Sequence, residues 1–420
     1  MRSQGLFNGF LAELTNHNHR TPAVSVTVRP KPSKDNEGEK AKDISSLITH
    51  RLIQLTLTDN RGFEADQLDL ELDDTDGLLA LPSRGAILSV GLGWQNSPLT
   101  YKGEYTVDEL THDGPPDKVT IRARSADLRG TLTNRHERSF HRTTIGKIVK
   151  QIAEENKLKP IVGKEFENEE VKHIDQTNES SINLLQRLAE QFDAIATVKN
   201  GNLIFIKAGN ATTASGKPLP LFRITRSSGD SHSFSIAEGD NYKAVKAYWH
   251  NTQTGKRGEV TWDENSQVKK VTKPTMRKKT KVKRGADGKP IKGKDGKSIK
   301  ETVFVKGKGR QVNAVVQSKP IESDSEAIKT LPHTYISQQS AINACKNHFA
   351  KLERGVATFS LTLAEGNAEL IPELPVQVSG FKAEIDSNEW IISQVTHSLN
   401  KGGGFTTALE MELKPKEEKE

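Results

Sequence analysis

The sequence predicts a mainly β protein with α+β parts: two β domains, a small α/β domain between them, and a Lys-rich insertion in the second. Three observations carry this. Short runs with apolar residues at alternate positions recur from Pro22 to Arg124 and again from Leu221 to Leu413. Between them, two segments repeat their apolar residues at helical spacing. One stretch, Gln267 to Arg310, holds 17 Lys/Arg against three acids, Asp287, Asp295 and Glu301.

Along the chain, residues 1–20 place Leu6, Phe7, Phe10, Leu11 and Leu14 at helical spacing and predict an amphipathic arm. Residues 21–130 form the first β domain. Its strands are VSVTV (Val24 to Val28), LIQLTLT (Leu52 to Thr58), QLDLEL (Gln67 to Leu72), AILSVGL (Ala86 to Leu92), YTVDEL (Tyr105 to Leu110) and KVTIRAR (Lys118 to Arg124). Turns at Asp59-Asn60-Arg61-Gly62, Asp76-Gly77 and Asp113-Gly114-Pro115-Pro116 separate them. Residues 131–210 form the α/β domain. Thr143 or Thr144 can cap a helix with Ile145, Ile148, Val149 and Ile152 on one face, and Ser180 or Ser181 a second with Ile182, Leu185, Leu188, Ala189 and Phe192 inside. Asn200-Gly201 then signals a hairpin into Leu203 to Ala208. The second β domain comprises residues 211–262 and 321–414, with one helix at 337–352 that carries Ala341, Cys345, Phe349 and Leu352 on one stripe. Residues 263–320 are the Lys-rich insertion, and 415–420 a charged tail.

With 420 residues, 34% hydrophobic and 27% charged, the chain is long enough for several globular cores. No run approaches the roughly 20 apolar residues of a spanning helix, so no membrane helix is expected. The N-terminus has neither an unbroken apolar stretch nor a small-residue cleavage site, which argues against a secretory leader. A single cysteine, Cys345, excludes an intrachain disulfide and a cysteine-built zinc or iron–sulfur site. The net charge of +7 misleads until it is placed: Gln267 to Arg310 alone carries +14, which leaves −7 for the rest. A basic surface for nucleic acid is therefore not expected over the whole chain.

Catalytic, metal and cofactor motifs are not found. Gly288 to Asp295 nearly spells a P-loop but has Asp295 where Ser or Thr must hold magnesium. Asp73 to Gly77 resembles part of a calcium loop, yet Leu72 stands at its first ligand position, so it reads as an acidic turn. The pairs His17/His19 and His136/His141 lack carboxylate partners at metal spacing and read as surface residues. Cys345 reads as a packed thiol. His112 and His397, each after a Thr at a strand end, read as turn hydrogen-bonders. Within the Lys run, Lys278, Lys279, Lys281, Lys283 and Arg284 are the densest cations. Two readings stay open for them: a solvated insertion, or contact with an anionic partner, either DNA in a lumen or an acidic protein. With Phe304 its sole aromatic, the run offers little for base stacking.

The two β regions also resemble each other. Val107 to His112 precedes a Gly/Pro turn and Val119-Thr120-Ile121, as Ile392 to His397 precedes Lys401 to Gly404 and Phe405-Thr406-Thr407. Thr111-His112 and Thr396-His397 are thus candidate equivalent motifs of a duplicated domain, with Leu110 matching Val395 and Gly114 matching Gly403.

LTLTDNRGFEADQLDLEL (Leu55 to Leu72), VTIRARSADLRGTL (Val119 to Leu132), HIDQTNESSINLLQRLAE (His173 to Glu190), RGVATFSLTLAEG (Arg354 to Gly366) and the run from Pro375 to Leu413 resemble the phage late control D family of contractile-tail phages. The resemblance covers nearly the whole chain outside the insertion. It implies a virion baseplate hub, similar in architecture to the hub part of type VI secretion spike proteins, with two tube-like β-barrel domains. It further implies a homotrimer between the hexameric tail tube and a trimeric central spike, with baseplate wedge proteins as further neighbours and nucleic acid passing only transiently through the lumen. No cofactor and no catalytic residue is expected. The competing readings are a bifunctional hub that also degrades cell wall, which needs a further domain of roughly 100 residues, and a nucleic-acid-binding protein acting through the Lys-rich segment.

Overall fold

The computed structural model describes residues 20–414 apart from 32–39, 126–130, 200, 214–215, 237–241, 253, 274–275, 285–287, 293–296, 307–309 and 318–327. The amphipathic arm and charged tail expected at the two ends lie outside the described residues, except for Arg20. The chain divides into two compact units, Met1–Asp240 with Ala350–Glu420, and Asn241–Phe349.

The first unit begins with the alternating runs of the sequence. They form β1 (Pro22–Arg29), β2 (Lys42–Asp43), a short helix α1 (Ser45–Arg51), β3 (Leu52–Asn60), β4 (Gln67–Asp73), β5 (Ile87–Trp94), β6 (Thr100–Asp113) and β7 (Lys118–Ser125). The α/β part follows as β8 (Arg135–Thr144), α2 (Ile145–Glu155), β9 (Lys159–Val162), α3 (Lys164–Glu167), β10 (Glu170–Ser180), α4 (Ser181–Phe192), β11 (Ala194–Lys199) and β12 (Asn202–Lys207). Both helix caps are those the sequence offers: Thr144 accepts from the Lys147 amide at 3.3 Å and Ser180 from the Asn183 amide at 3.2 Å. Ile145, Ile148, Val149 and Ile152 of α2 and Leu184, Leu185 and Leu188 of α4 close over Phe166, Leu203 and Phe205 as a separate core.

The chain then forms β13 (Phe222–Thr225) and β14 (Gly229–Ile236) and enters the second unit. There it makes β15 (Ala244–Asn251), β16 (Lys256–Asp263), β17 (Ser266–Lys273), β18 (Met276–Val282), β19 (Lys300–Lys306), β20 (Arg310–Gln317), β21 (Ile328–Tyr335) and α5 (Gln338–Gly355), whose last turns return to the first unit. It ends with β22 (Ala357–Leu363), β23 (Pro375–Ser379), α6 (Ala383–Asp386), β24 (Glu389–Asn400) and β25 (Gly404–Leu413).

One 13-stranded sheet runs through both β domains. Its order is β2-β1-β5-β6-β7-β4-β3-β24-β25-β22-β14, with β23 on the remaining edge of β24 and β13 on β23. The path does not close into two separate barrels, because β3 of the first domain hydrogen-bonds β24 of the second from Gln54↔Asn400 to Asn60↔Gln394. Alternation puts Leu55, Leu57, Leu68, Leu70, Val119 and Ile121 on one buried face, and Ala368, Leu399 and Phe405 from the C-terminal segment join that core. Trp94 donates through Nε1 to the Gly366 carbonyl at 2.9 Å, and a Cβ on Gly366 would lie 2.6 Å from the Phe405 ring. Only glycine lets that loop approach so closely.

The insertion is larger than the sequence suggests. Residues 244–262, expected in the second β domain, instead pair with β21 as a three-stranded sheet, β16-β15-β21. Ala244, Val245, Ala247, Val260, Trp262 and Leu331 are buried there, as are Ala341, Ile342, Ala344 and Cys345 of α5. Cys345 Sγ lies 3.6 Å from the Val260 carbonyl, and burial pushes its thiol up to about 12. The Lys-rich stretch forms the antiparallel pairs β17–β20 and β18–β19. Val268, Val271 and Val282 are exposed, so these β-branched residues supply strand propensity without being buried.

Buried ions fasten the α/β domain to the C-terminal strands. Asp193, in a left-handed conformation (φ 50°) after α4, pairs with Arg354 and with Lys207 at 3.1 Å. Arg354 Nε reaches Glu412 at 3.4 Å, Arg61 bridges Glu412 at 2.5 Å and Glu373 at 2.7 Å, and Glu373 accepts from the Gly209 amide at 2.8 Å. Three cations thus face three carboxylates. Burial alone would raise the Asp193 carboxyl, but the Arg354 guanidinium outweighs it and holds the group below the usual carboxylate range. Replacing Arg354 with Met leaves Asp193 buried with Lys207 alone and should cost about 3–5 kcal/mol in denaturant unfolding. Adding Asp193→Asn should recover part of that loss; a single-mutant cost below about 1 kcal/mol would show that the pair is not a fastening element.

Candidate functional site

The candidate site is the repeated part of the sheet and the junction between its halves. Thr111 and His112 lie in β6, and Thr396 and His397 in β24. The two strands occupy the same place in strand orders that match, β1-β5-β6-β7-β4-β3 and β13-β23-β24-β25-β22-β14. In β6–β7, Val107 faces Ala123, the register shifts at Asp108, and Leu110, Thr111 and His112 face Ile121, Thr120 and Val119. In β24–β25, Ile392 faces Met411, the register shifts at Ser393, and Val395, Thr396 and His397 face Leu409, Ala408 and Thr407. The outer hydrogen bonds agree too: the Val107 amide donates to Ala86 at 2.8 Å and the Ile392 amide to Leu374 at 3.1 Å. Further along, β3–β4 shifts register between Leu52 and Gln54, and β14–β22 between Gly229 and Ser231. A bulge fixes where a strand bends, so matching bulges give both halves the same bends. The halves differ at their first strand, since β1 runs antiparallel to β5 and β13 parallel to β23.

The surroundings of the paired motifs are not alike. Leu110 is half-buried and His112 exposed, with Nε2 3.4 Å from Asp74 Oδ2. Val395 and His397 are fully buried. His397 is therefore not a turn residue: it sits inside β24, 2.9 Å through Nδ1 from the Thr407 hydroxyl on β25 and opposite Leu57 of β3. Gly114 follows β6 directly, whereas β24 runs on to Asn400 before the turn that holds Gly403, so these two glycines are not matched by strand count. Asp73 to Gly77 is an acidic turn, with Arg51 on Asp76 at 2.6 Å. His141 and His173 stack with their Nδ1 atoms 3.0 Å apart. His17 and His19 lie outside the described residues.

Lys278, Lys279 and Lys281 of β18, and Lys283 and Arg284 after it, are all exposed. Alternation puts Lys279 and Lys281 on one face of β18 and Lys278 on the other. Arg284 also donates to the Gly288 carbonyl at 2.8 Å.

The buried charges at the junction escape a sequence reading. Asp59 and Asn60, expected in a turn, are the last residues of β3 and are buried. Asp59 pairs with Lys199 and lies 3.7 Å from Lys102, whose Nζ donates to the carbonyls of Ala368 at 3.2 Å and Leu370 at 3.3 Å. Burial raises the Asp66 carboxyl beside them to about 6. Lys199, at the end of the apolar strand Ala194 to Val198, was the available signal.

Burial, with Lys102 nearby, pushes the His397 imidazole down to about 3. In the unfolded chain it titrates near 6.5. Protons therefore favour the unfolded state between these values: the contribution is complete above pH ~6.5 and falls as the pH drops, by at most about 1.4 kcal/mol per unit. Unfolding measured from pH 7 to pH 5 should show a shallower loss for His397→Gln than for the native chain; equal slopes would contradict this assignment.

Residues 66–403 match the phage tail baseplate hub (GPD) family. The chain is 47% identical over 374 residues to a probable baseplate hub protein of Escherichia phage 186, covering 89% of this chain and 91% of that one. It is 44% identical, with the same coverage, to a probable baseplate hub protein of Escherichia phage P2. In fold it is similar to a tail protein from Neisseria meningitidis MC58 (TM-score 0.58, 12% identity, 93% of this chain and 96% of that one). It is likewise similar to the 43 kDa tail protein of prophage MuSo2 from Shewanella oneidensis (TM-score 0.56, 13% identity, 92% and 98%). A match over most of the chain, joined to close relatives and a mainly β fold shared with tail proteins, has one meaning: the chain belongs to the phage tail baseplate hub family and is a component of the virion tail.

Proposed function

We propose that the chain acts as a homotrimeric adaptor that joins the sixfold tube of a contractile tail to a threefold central spike, with wedge proteins around it and no catalytic role of its own. The observation that carries this reading is the pair-by-pair agreement of the β6–β7 and β24–β25 ladders, including the matched bulges at Asp108 and Ser393. Two copies of one tube-like domain per chain, taken three times, offer six similar positions to a tube ring and keep threefold symmetry for the spike. The neutral, interlocked charges around Asp193 and Arg354 suit a part that transmits axial load through fixed contacts. The exposed lysines of β18 are, in this reading, an accessory surface for an anionic partner and are not needed for the adaptor. Light scattering on the purified chain, alone and with its spike, should give a particle of about three times 46.4 kDa for the hub. A chain that remains monomeric in the presence of the spike would overturn the reading.

A further inference from the structure

We infer that the trimer closes by strand addition: the open edge of β14 in one copy pairs antiparallel with the Glu109–Asp113 end of β6 in the next, in the register that β3 and β24 use inside each chain. This rests on the trimeric reading above and names the surface that performs it.

The outer edge of β24 carries two partners in succession, β23 up to Ile391 and β3 from Gln394 to Asn400. The corresponding edge of β6 carries β5 up to Thr106. Among the described residues no strand pairs with that edge from Glu109 to Asp113. The complementary half of the junction is missing as well. β3 lies between β4 and β24, whereas among the described residues its counterpart β14 pairs with β22 alone and ends the sheet. Among the described residues each chain therefore joins one edge of each kind internally and leaves one of each kind open. Such a pair of unlike, complementary edges makes a head-to-tail contact, which closes a ring when the rotation fits.

The register follows from the ladders. The bulges and cross-strand pairs match Leu57 with Phe234, and Leu55 with His232, through their partners on β4 and β22. The internal pairs Val395↔Asp59, Thr396↔Thr58, His397↔Leu57 and Ser398↔Thr56 then carry over between chains. They become Leu110 opposite Ile236, Thr111 opposite Ser235, His112 opposite Phe234, and Asp113 opposite Ser233. Pro115 and Pro116, which have no amide to donate, end the ladder there.

Burial agrees with a missing neighbour. Asp59, Leu57 and Leu55 on β3 are buried, while their counterparts are 56% exposed at Ile236, half-buried at Phe234 and exposed at His232. The same contrast separates buried Val395 and His397 from half-buried Leu110 and exposed His112. The pairing sets Ile236 against Leu110 and so covers two apolar side chains at once. β14 reads GDSHSFSI, with none of the lysines or prolines that protect an edge meant to stay free.

The test uses full-length chain purified with its spike. Two double-cysteine variants, Leu110→Cys with Ile236→Cys and Thr111→Cys with Ser235→Cys, are oxidised and run on non-reducing denaturing gels. Adjacent cross-strand pairs alternate between hydrogen-bonded and non-hydrogen-bonded sites, so one of the two suits a disulfide. A control, Thr111→Cys with Ile236→Cys, puts the thiols on opposite faces of the ladder. At least about tenfold more covalent dimer and trimer from an in-register pair than from the control is expected. The exposed substitution Ile236→Lys should leave the circular dichroism spectrum of the folded chain unchanged and weaken its trimer at least about tenfold. Trimers that form but cross-link no better in register than out of it, or that tolerate Ile236→Lys, would overturn this pairing and leave the trimeric reading standing. A native chain that does not trimerise would remove that reading itself.

Discussion

The pairing of β3 with β24 is the constraint on which the rest of the first unit depends. It turns two β domains far apart in sequence into one sheet, and it decides which side chains can be buried. Leu55 and Leu57 are interior because β24 covers their edge; His232 and Phe234, at matching places on β14, have no such cover. The same pairing places Leu399 and Phe405 of the C-terminal hairpin in the core of the first domain. The first domain therefore completes its core with residues of the second, whereas the second keeps a core of its own around Phe359, Trp390 and Met411.

Charges are admitted to this junction only in neutral groups. Lys102 is lowered from its ordinary basicity by burial, yet Asp59 and two loop carbonyls satisfy its ammonium. Burial lowers and the Asp59 and Asp66 carboxylates raise the Lys199 ammonium, and the carboxylates prevail. Removing any one member would strand a buried charge, which is far costlier than losing an exposed pair. Such groups fix a single geometry between the halves, since apolar contacts alone tolerate sliding. The adaptor role proposed above has use for that rigidity.

Much of this was legible in the sequence, and the failures have physical reasons. Strict alternation in Leu52 to Thr58 and Gln67 to Leu72 gave β3 and β4, and the Thr144 and Ser180 caps gave both helices of the α/β domain, because these signals are local. The likeness of Val107 to His112 and Ile392 to His397 pointed to the two strands whose ladders agree. The burial of His397 was not legible, since it depends on a strand more than three hundred residues away. Asp59-Asn60 has turn composition, but Lys199 and a partner strand hold it extended. Residues 244–262 alternate like their neighbours, and nothing local reveals that β21 rather than the large sheet is their partner.

The central claim is that each chain presents two equivalent β domains whose spare edges meet those of its neighbours. The most direct measurement is a density map of the assembled tail tip, fine enough to separate strands about 4.8 Å apart. The account predicts six β domains around the axis, with strand density continuous from β14 of one chain into β6 of the next. A ring built from three domains, or a gap at the β14–β6 boundary, would contradict it.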